Sequence, residues 1–392
     1  MQTACQDGSK RVRVVHIITG LNVGGAETVL WRLVTRLASV GFENHVVSLL
    51  VEGPIGGRLR SAGIPVYSLG MRHGTPDVWQ VQRLIRLLGV LQPDIVQTWM
   101  YHANLIGGLA CAMAGRVPCV WGVHNTHLTQ SDSRLTRFVS WLCARTSLVL
   151  PSAIVYCSDS ARIVHEATGY AVARTHTIWN GFDSEAFQPD MLARRDTRLA
   201  LELPPDAQVV GMVARDHPQK DIENYLLAAN LLSKRLSRTH FVLCGSGLDT
   251  TNQRLARMRD DLGLSETCLL LGTRDDVGAL YNVFDVATLT SLGEALPLVI
   301  GEAMSCGVPF VATDVGDAAR IIGDTGLIAP PHSPEALAEA WYRILSMPES
   351  ERRALGLRGR ERIVNNYSIQ RMVQSYVELY HSVLAKNATR PW

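Results

Sequence analysis

The segment RVRVVHIITGLNVGGAETVLWRLVTRLASVGFENHVVSLL, residues 11–50, decides the fold. Residues 11–19 are rich in Val and Ile, which is typical of a buried strand, and residues 26–38 carry apolar side chains at the spacing of one helix face. Residues 44–50 then predict a second strand. Strand, helix and strand within about 40 residues form a βαβ unit, which implies a buried parallel sheet.

The same alternation continues along the chain and then begins again. It predicts strands at 94–98, 119–123 and 153–157 with helices at 78–91 and 104–114, and a second cycle of strands at 209–214, 240–245, 268–272, 285–289 and 309–313 with helices at 222–236 and 252–262. Polar sequence around Pro189 separates the cycles. The pattern predicts an α/β protein of two doubly wound, Rossmann-like domains, residues 1–188 and 189–366, followed by a C-terminal helix within 367–392 that Ser368 caps.

Composition limits the function classes. The 392 residues include 38 Lys and Arg against 36 Asp and Glu, a net charge of +2, so nucleic acid is not an expected partner. The eight cysteines form no C-x-x-C pair, which argues against zinc and redox motifs and predicts reduced core residues. The first residues lack a signal peptide's apolar run, and no stretch reaches about 18 apolar residues. A cytoplasmic location is expected.

Ligands of open parallel sheets bind beyond the carboxyl ends of the strands, so residues that follow strands are the candidates. Gly24 and Gly25 follow the first strand and open a helix, where the Gly25 amide could bind an anion or the pair could form a tight turn. His124 follows the strand at 119–123. It could hydrogen-bond a sugar, act as an acid or base, or be a structural histidine. No third ligand accompanies His124 and His127, which disfavours metal.

The second cycle carries a stronger pattern. Arg215 and Lys220 follow the strand at 209–214, where two cations can neutralise a diphosphate. Seven residues separate Glu294, in a loop after a strand, from Glu302, in an apolar segment that predicts a helix. Pro297 is predicted in the first turn of that helix, where the amides of Leu298 and Val299 would face an anion. A carboxylate among apolar neighbours is normally paired or bound to a ligand, such as ribose hydroxyls for Glu302.

Five segments in this order resemble the family 4 glycosyltransferases of the GT-B fold: GLNVGGAETVL (20–30), WNGFDSEAFQP (179–189), FVLCGSG (241–247), LLGTRDDVGALYNVFDV (270–286) and SLGEALPLVIGEAMSCGVPFVATDVG (291–316). The last contains the family's E-x7-E motif. The resemblance implies two domains that face each other across a cleft, an acceptor-binding domain and then a nucleotide-sugar-binding domain, with the C-terminal helix crossing back to the first. It further implies sugar transfer from a nucleotide-diphosphate donor with retention at the anomeric carbon and without metal or another cofactor.

The resemblance also assigns roles to residues. Arg215 and Lys220 would hold the diphosphate, Glu302 the ribose and Glu294 the hydroxyls of the transferred sugar. His124 would lie near the sugar and Gly25 near the phosphate or acceptor. The remaining expected donor contacts are Thr273 and Arg274 near the base and the segment of Ala295, Leu296, Leu298 and Val299.

Two departures from the family pattern concern this site. Ala295 stands where the family mostly has glycine, so its methyl group would narrow the donor pocket. Asp221 stands where a glycine usually follows the lysine, although the spacing from Arg215 to Lys220 is retained.

The resemblance therefore implies a retaining hexosyltransferase that uses a UDP- or GDP-sugar and a glycan or lipid-linked acceptor, in bacterial lipopolysaccharide or exopolysaccharide synthesis. A GT-B-type nucleotide-sugar epimerase and a non-catalytic nucleotide-sugar-binding protein are the alternatives. A Rossmann dehydrogenase is disfavoured because G-x-G-x-x-G is absent. Acceptor choice is expected to depend on loops of the first domain, residues 72–77 and 124–133.

A helical segment of the first domain mixes basic and apolar side chains. Its members are Arg134, Arg137, Phe138, Trp141, Leu142 and Arg145. This pattern fits peripheral contact with the anionic inner leaflet of the plasma membrane. It also fits an ordinary amphipathic helix packed on the first domain, which is the commoner case.

Overall fold

The structure is a computed structural model that describes residues 11–71, 78–126 and 133–389. It consists of two compact units. The first contains Met1–Trp179 and Met372–Trp392, and the second contains Asn180–Arg371. The chain therefore passes into the second unit at Trp179, somewhat before the join predicted at 188/189.

The first unit is built on a seven-stranded parallel sheet of order β3-β2-β1-β4-β5-β6-β7. Its strands are β1 (Val12–Ile18), β2 (Phe42–Ser48), β3 (Val66–Ser68), β4 (Ile95–Trp99), β5 (Cys119–Val123), β6 (Ala153–Tyr156) and β7 (Thr175–Thr177). Only β3 and β7 were not predicted from the sequence. Both are three-residue edge strands without a buried apolar run, so the pattern that marks central strands is missing from them.

Helices cover this sheet and connect its strands. They are α1 (Gly25–Ser39), α2 (Pro54–Ser61), α3 (Val78–Leu91), α4 (Met100–Met113), α5 (Arg134–Thr146) and α6 (Asp159–Ala167). Every cysteine described in the structure is buried, as expected. Helix α4 begins directly after β4, four residues before the predicted start, because Met100 adopts a left-handed conformation with φ of 72° that turns the chain at once from strand to helix.

The second unit contains a six-stranded sheet of order β10-β9-β8-β11-β12-β13, again all parallel. Its strands are β8 (Gln208–Val213), β9 (Thr239–Cys244), β10 (Cys268–Leu270), β11 (Val286–Leu289), β12 (Phe310–Thr313) and β13 (Gly326–Ala329). Its helices are α7 (Met191–Ala200), α8 (Ile222–Ser233), α9 (Gln253–Asp261), α10 (Val277–Val283), α11 (Leu298–Ser305), α12 (Ala318–Ile322), α13 (Pro334–Leu345) and α14 (Glu349–Asn366).

The chain ends in α15 (Ile369–Ala388). The amide of Arg371 donates a hydrogen bond of 3.4 Å to the Ser368 hydroxyl, which confirms the predicted cap. Within the first unit, the buried Tyr380 packs against the ring of Phe42 and its hydroxyl donates to Gln97 Oε1. No helix among the described residues is both long and apolar enough to cross a bilayer.

Each sheet has one place where the strand order reverses: the chain first adds strands on one side of the sheet's first strand and later adds strands on its other side. In the first unit it lies between β1 and β4, and in the second between β8 and β11. Loops that leave the carboxyl ends of two such strands diverge and open a crevice, which is where ligands of doubly wound sheets bind.

Candidate functional site in the second unit

The central feature of the second unit is an ion pair between Lys220 and Glu294. The Lys220 ammonium donates to Glu294 Oε1, and the Ser291 hydroxyl donates to the same oxygen at 2.7 Å. The side chains of Lys220 and Glu294 are 19% and 15% exposed. Since Lys220 follows β8 and Glu294 follows β11, the pair lies at the crevice that the strand order opens.

Hydrogen bonds hold the two loops together. The Thr290 hydroxyl donates to the carbonyl oxygen of Lys220 at 2.6 Å, and the amide of Leu292 donates to the carbonyl oxygen of Gln219 at 2.8 Å. The Thr313 hydroxyl, at the end of β12, donates to the carbonyl oxygen of Ser291 at 2.6 Å. Three neighbouring strand ends therefore fix the backbone that carries Lys220 and Glu294.

The loop after β12 packs directly against the backbone of Glu294. Gly316 has a φ of 56°, and a Cβ atom placed on it would lie 2.2 Å from the carbonyl oxygen of Glu294. The next residue, Asp317, donates its amide to the carbonyl oxygen of Ala295 at 3.0 Å. Glycine is required here both for the left-handed backbone and for the close approach.

Arg215 lies in the same loop as Lys220 and is exposed. Among the described residues it makes no hydrogen bond or ion pair, unlike its neighbour Asp216, which binds Arg254 at 2.9 Å. The Arg215 guanidinium therefore has all its donors available for an anion.

Helix α11 begins at Leu298, so the prediction that Pro297 lies in its first turn is wrong. Pro297 occupies the N-cap position in an extended conformation. Its side chain has no oxygen to accept a hydrogen bond, and the helix start has no side-chain cap. The amides of Leu298 and Val299 are thus left to bind an anion.

Glu302 lies one turn into α11 and is 9% exposed. The hydroxyl of Tyr281 donates to its Oε2 at 3.3 Å. Burial and the neighbouring Glu302 raise the pKa of Tyr281 well above its usual range, so the hydroxyl keeps its proton and remains a donor. Ala295 and Leu296, between the loop and the helix, are both buried.

Thr273 and Arg274 follow β10, which β9 separates from β8. Thr273 is exposed. The guanidinium of Arg274 binds both carboxylate oxygens of Asp276. The two residues lie at the same edge of the sheet as Lys220.

Two predicted residues belong to the first unit. Gly25 is exposed at the start of α1, whose N-cap Gly24 provides no side-chain cap, and a Cβ atom on Gly25 would meet nothing within 4 Å. Gly25 thus leaves room for a ligand at the start of α1, and the Glu27 carboxylate lies against the neighbouring Gly24.

His124 follows β5, and its ring stacks on Trp99 with a centroid distance of 4.9 Å. Burial lowers the pKa of His124 to about 4, so the ring is neutral at pH 7. Neither ring nitrogen has a hydrogen-bond partner among the residues described in the structure. A neutral imidazole with two unused nitrogens can donate to one hydroxyl and accept from another. Two other candidates for the first domain, His127 and residues 72–77, lie outside the described residues.

Sequence reasoning missed several residues that orient the predicted ones. They are Ser291 and Thr290 beside Glu294 and Lys220, Tyr281 beside Glu302, Trp99 beside His124, and Gly316. Ser291 and Thr290 follow a predicted strand, which was a usable signal. No signal in the sequence marked Tyr281, because it comes close to Glu302 only in the folded protein. The described residues contain no group of three or more His, Cys, Asp or Glu side chains placed to hold a metal ion.

The structure defines a protein with two parallel α/β sheets, and at the switch point of the second sheet it brings together the Lys220–Glu294 pair and the exposed Arg215. Two family descriptions match the chain, "Glycosyltransferase Family 4" over residues 23–186 and "Glycosyl transferases group 1" over residues 207–347. Together these ranges cover most of both sheets. The chain belongs to the family 4 glycosyltransferases.

Individual relatives agree with this assignment. EpsF of Bacillus subtilis (strain 168) is 28% identical over 322 residues, covering 78% of this chain and 80% of EpsF. The UDP-Gal:alpha-D-GlcNAc-diphosphoundecaprenol alpha-1,3-galactosyltransferase of Escherichia coli is 26% identical over 316 residues, covering 78% and 79%. The crystal structure of Anabaena Alr3699/HepE in complex with UDP superposes with a TM-score of 0.82 at 21% identity, covering 95% of this chain and 100% of that one. The predicted fold class, α/β with two Rossmann-like domains of the GT-B type, is confirmed.

Proposed function

We propose that this protein is a retaining, metal-independent hexosyltransferase that uses a UDP- or GDP-sugar. Its acceptor is a glycan or lipid-linked saccharide of bacterial surface polysaccharide synthesis. The observation that carries the proposal is the Lys220–Glu294 pair, held by three strand ends at the switch point of the second sheet. The donor sugar nucleotide is a substrate, and the reaction as proposed needs no cofactor.

Lys220 is the group best suited to the donor's phosphates. An ammonium has three N–H donors, so Lys220 can bind a phosphate oxygen while it remains paired with Glu294. Arg215 supplies a second, exposed cation from the same loop, and the uncapped amides of Leu298 and Val299 supply neutral donors. These groups stabilise the charge that develops on the diphosphate as the sugar leaves.

Glu294 and Glu302 have different surroundings and are proposed to have different roles. Glu294, whose Oε1 accepts from Lys220 and Ser291, is proposed to bind a hydroxyl of the transferred sugar. Glu302, bound by Tyr281 and nearly buried, accepts from ribose hydroxyls. By resemblance, Thr273 and Arg274 are assigned to the base.

In the proposed reaction the bond between the anomeric carbon and the β-phosphate oxygen breaks, and both electrons go to the phosphate. The acceptor oxygen bonds to the anomeric carbon on the face that the phosphate leaves. The acceptor's proton moves to the departing β-phosphate oxygen, so no protein nucleophile is needed. His124, neutral at pH 7, is proposed as a hydrogen-bonding group for the sugar and not as its general acid, and Gly25 remains a predicted phosphate or acceptor contact.

The names of two similar proteins support the choice of donor and acceptor. The Escherichia coli relative is named for transfer of galactose from a UDP donor to a diphosphoundecaprenol-linked sugar, and Alr3699/HepE has been crystallised with UDP-glucose. Both names contain a uridine nucleotide, which favours UDP over GDP for the first donor to be tested.

The proposal predicts that a nucleoside diphosphate stabilises the protein. In a thermal-shift panel of UDP, GDP and ADP without added metal, we expect one nucleotide at about 100 times its Kd to stabilise the folded state by about 2.7 kcal/mol. Incubation of the matching sugar nucleotide with lipid-linked and free glycan acceptors should then yield an acceptor one sugar longer, with its anomeric configuration retained.

Other results would contradict parts of this proposal. Binding without transfer to any acceptor would favour the nucleotide-sugar-binding alternative, and conversion of the sugar nucleotide without acceptor would favour the epimerase. A requirement for a divalent cation would contradict metal independence. The absence of any thermal shift with all three nucleotides would refute the diphosphate site itself.

We further propose peripheral binding to an anionic membrane through α5. This helix packs on the first unit through the buried Val139 and Cys143, whereas Phe138 and Trp141 are 54% and 52% exposed. Their rings stack on each other, and the Arg145 guanidinium lies 5.6 Å from the Trp141 ring centre. Helix α5 therefore has the packing face predicted for an ordinary amphipathic helix. Its other face carries aromatic and basic side chains and is exposed to solvent.

The test is co-sedimentation with vesicles of phosphatidylcholine with and without phosphatidylglycerol. We expect binding only to the anionic vesicles, and a roughly tenfold loss when Phe138 and Trp141 are both replaced by serine, because two aromatic rings lose their contact with the interface. Leu199→Ser, which removes an apolar side chain of α7 that is even more exposed, at 70%, is the control. Binding that does not depend on the anionic lipid, or that the double substitution does not weaken, would contradict the proposed membrane-binding role of α5.

A further inference from the structure

Asp221, the residue after Lys220, adopts a conformation that usually belongs to glycine. Its φ and ψ are 47° and 54°, and its Oδ1 accepts the amide of Asn224 at the start of α8. The Thr290 hydroxyl contacts the carbonyl oxygens of both Lys220 and Asp221, at 2.6 and 3.1 Å. The position of Lys220 is thus tied to the backbone of Asp221.

The second carboxylate oxygen of Asp221 is in an unfavourable place. Asp221 Oδ2 is buried and receives no well-aligned hydrogen bond within the described residues. The Asp221 side chain as a whole is only 12% exposed, so water has little access to this carboxylate. Burial raises the pKa of Asp221, and Glu223 in the first turn of α8 acts in the same direction. An uncompensated buried carboxylate beside a phosphate-binding lysine would both destabilise the loop and repel the phosphates.

His332, when protonated, can supply the compensating charge. It follows β13, and its Nδ1 lies 3.0 Å from Asp221 Oδ2. Its own φ is 54°, so two left-handed residues that are not glycine meet at this contact. In the described part of the chain, the charged groups that act on Asp221 are Glu223 from α8 and His332, and Lys220 directly precedes Asp221 in the loop. Lys220 is already paired with Glu294, which leaves His332 as the cation that faces Asp221.

We propose that His332 is a positioning residue for the donor diphosphate, because it neutralises Asp221 and so preserves the positive potential around Lys220. The inference rests on the proposed function, in which Lys220 binds the diphosphate. It assigns a role in donor binding to a fourth strand end, that of β13, and to a residue whose side chain is 71% exposed.

The test uses variants that keep the backbone geometry. Asparagine tolerates positive φ, so His332→Asn removes the imidazole and its charge without forcing the backbone to change, and Asp221→Asn also keeps an oxygen for the cap of α8. The full-length protein is titrated by calorimetry at about pH 6.5, where imidazole is substantially protonated, with UDP, GDP or ADP, whichever stabilises the wild type most. His240→Asn, near the amino-terminal end of β9, is the matched control.

We expect His332→Asn to weaken nucleotide binding about three- to tenfold, since it leaves the Asp221 charge uncompensated near the phosphates. The double variant His332→Asn with Asp221→Asn should return to within about twofold of the wild type, and His240→Asn should match it. If the contact between His332 and Asp221 were purely structural, the second substitution would not restore nucleotide binding. Unchanged binding by His332→Asn, or a double variant as weak as the single one, would overturn the inference. By contrast, a wild type that binds none of the nucleotides, or Lys220→Ala that binds as the wild type does, would refute the proposed function.

Discussion

Replacement of Lys220 by alanine is expected to lower kcat/KM at least about a hundredfold. The ammonium is proposed to stabilise charge that develops on the leaving diphosphate, and such preorganised groups contribute several kcal/mol to catalysis. The substitution also leaves the largely buried Glu294 carboxylate without its cation, so its orientation toward the sugar should be lost as well. Both effects act on the transition state, and kcat should fall together with kcat/KM.

The measurement is steady-state transfer from the sugar nucleotide identified by the thermal-shift panel. Lys234→Ala removes an exposed lysine at the far end of α8 and controls for the loss of one positive charge from the same unit. A decrease of less than about tenfold, which corresponds to roughly 1.4 kcal/mol, would show that Lys220 does not bind the diphosphate in the transition state.

Replacement of Gly316 by alanine is expected to reduce both stability and activity. The new methyl group would lie 2.2 Å from the carbonyl oxygen of Glu294 and 2.6 Å from that of Ala295, and the residue would be held at a positive φ. The backbone of the loop after β11 must then shift. We expect a loss of about 2–4 kcal/mol in the free energy of unfolding.

A matched variant separates the two causes. Gly263 has a φ of 69°, but a Cβ atom there would meet nothing within 4 Å, so Gly263→Ala carries only the conformational cost of about 1 kcal/mol. Denaturant unfolding and kcat/KM are compared for both variants under conditions where circular dichroism shows each to be folded. We expect transfer to fall more than about tenfold for Gly316→Ala alone. If the two variants lost the same free energy of unfolding and the same kcat/KM, the close contact between Gly316 and Glu294 would not be needed for function.

The motif residues around Lys220 illustrate how far sequence reasoning reached. Arg215, Lys220, Glu294 and Glu302 were identified because each follows a predicted strand or begins a helix, and parallel sheets place such residues at one edge. The ion pair depends on side-chain rotamers in two loops whose residues are 74 apart in the chain, and no spacing rule encodes it. The hydrogen bond from Ser291 to Glu294 is local, but it too depends on the rotamers that the loop adopts.

The local sequence pattern did not predict the exact start of α11 after Pro297 or the presence of the edge strands β3 and β7. Proline is compatible with both the N-cap and the first turn, so the start of α11 could not be predicted to the residue. The strands β3 and β7 are short and only partly buried, and their sequences lack the apolar run that identifies central strands. Their pairing is decided by neighbours that the local sequence does not contain.

The periodic alternation of apolar strands and amphipathic helices determined the fold class, because a buried parallel sheet needs such strands and covering helices wherever it forms. The same alternation determined which residues stand at strand ends and so are candidates for binding. Only the tertiary structure decided which of them meet: Lys220 with Glu294, Tyr281 with Glu302, and His332 with Asp221. Those contacts join residues that are distant in the chain, so their distances and burial depend on how the elements pack together.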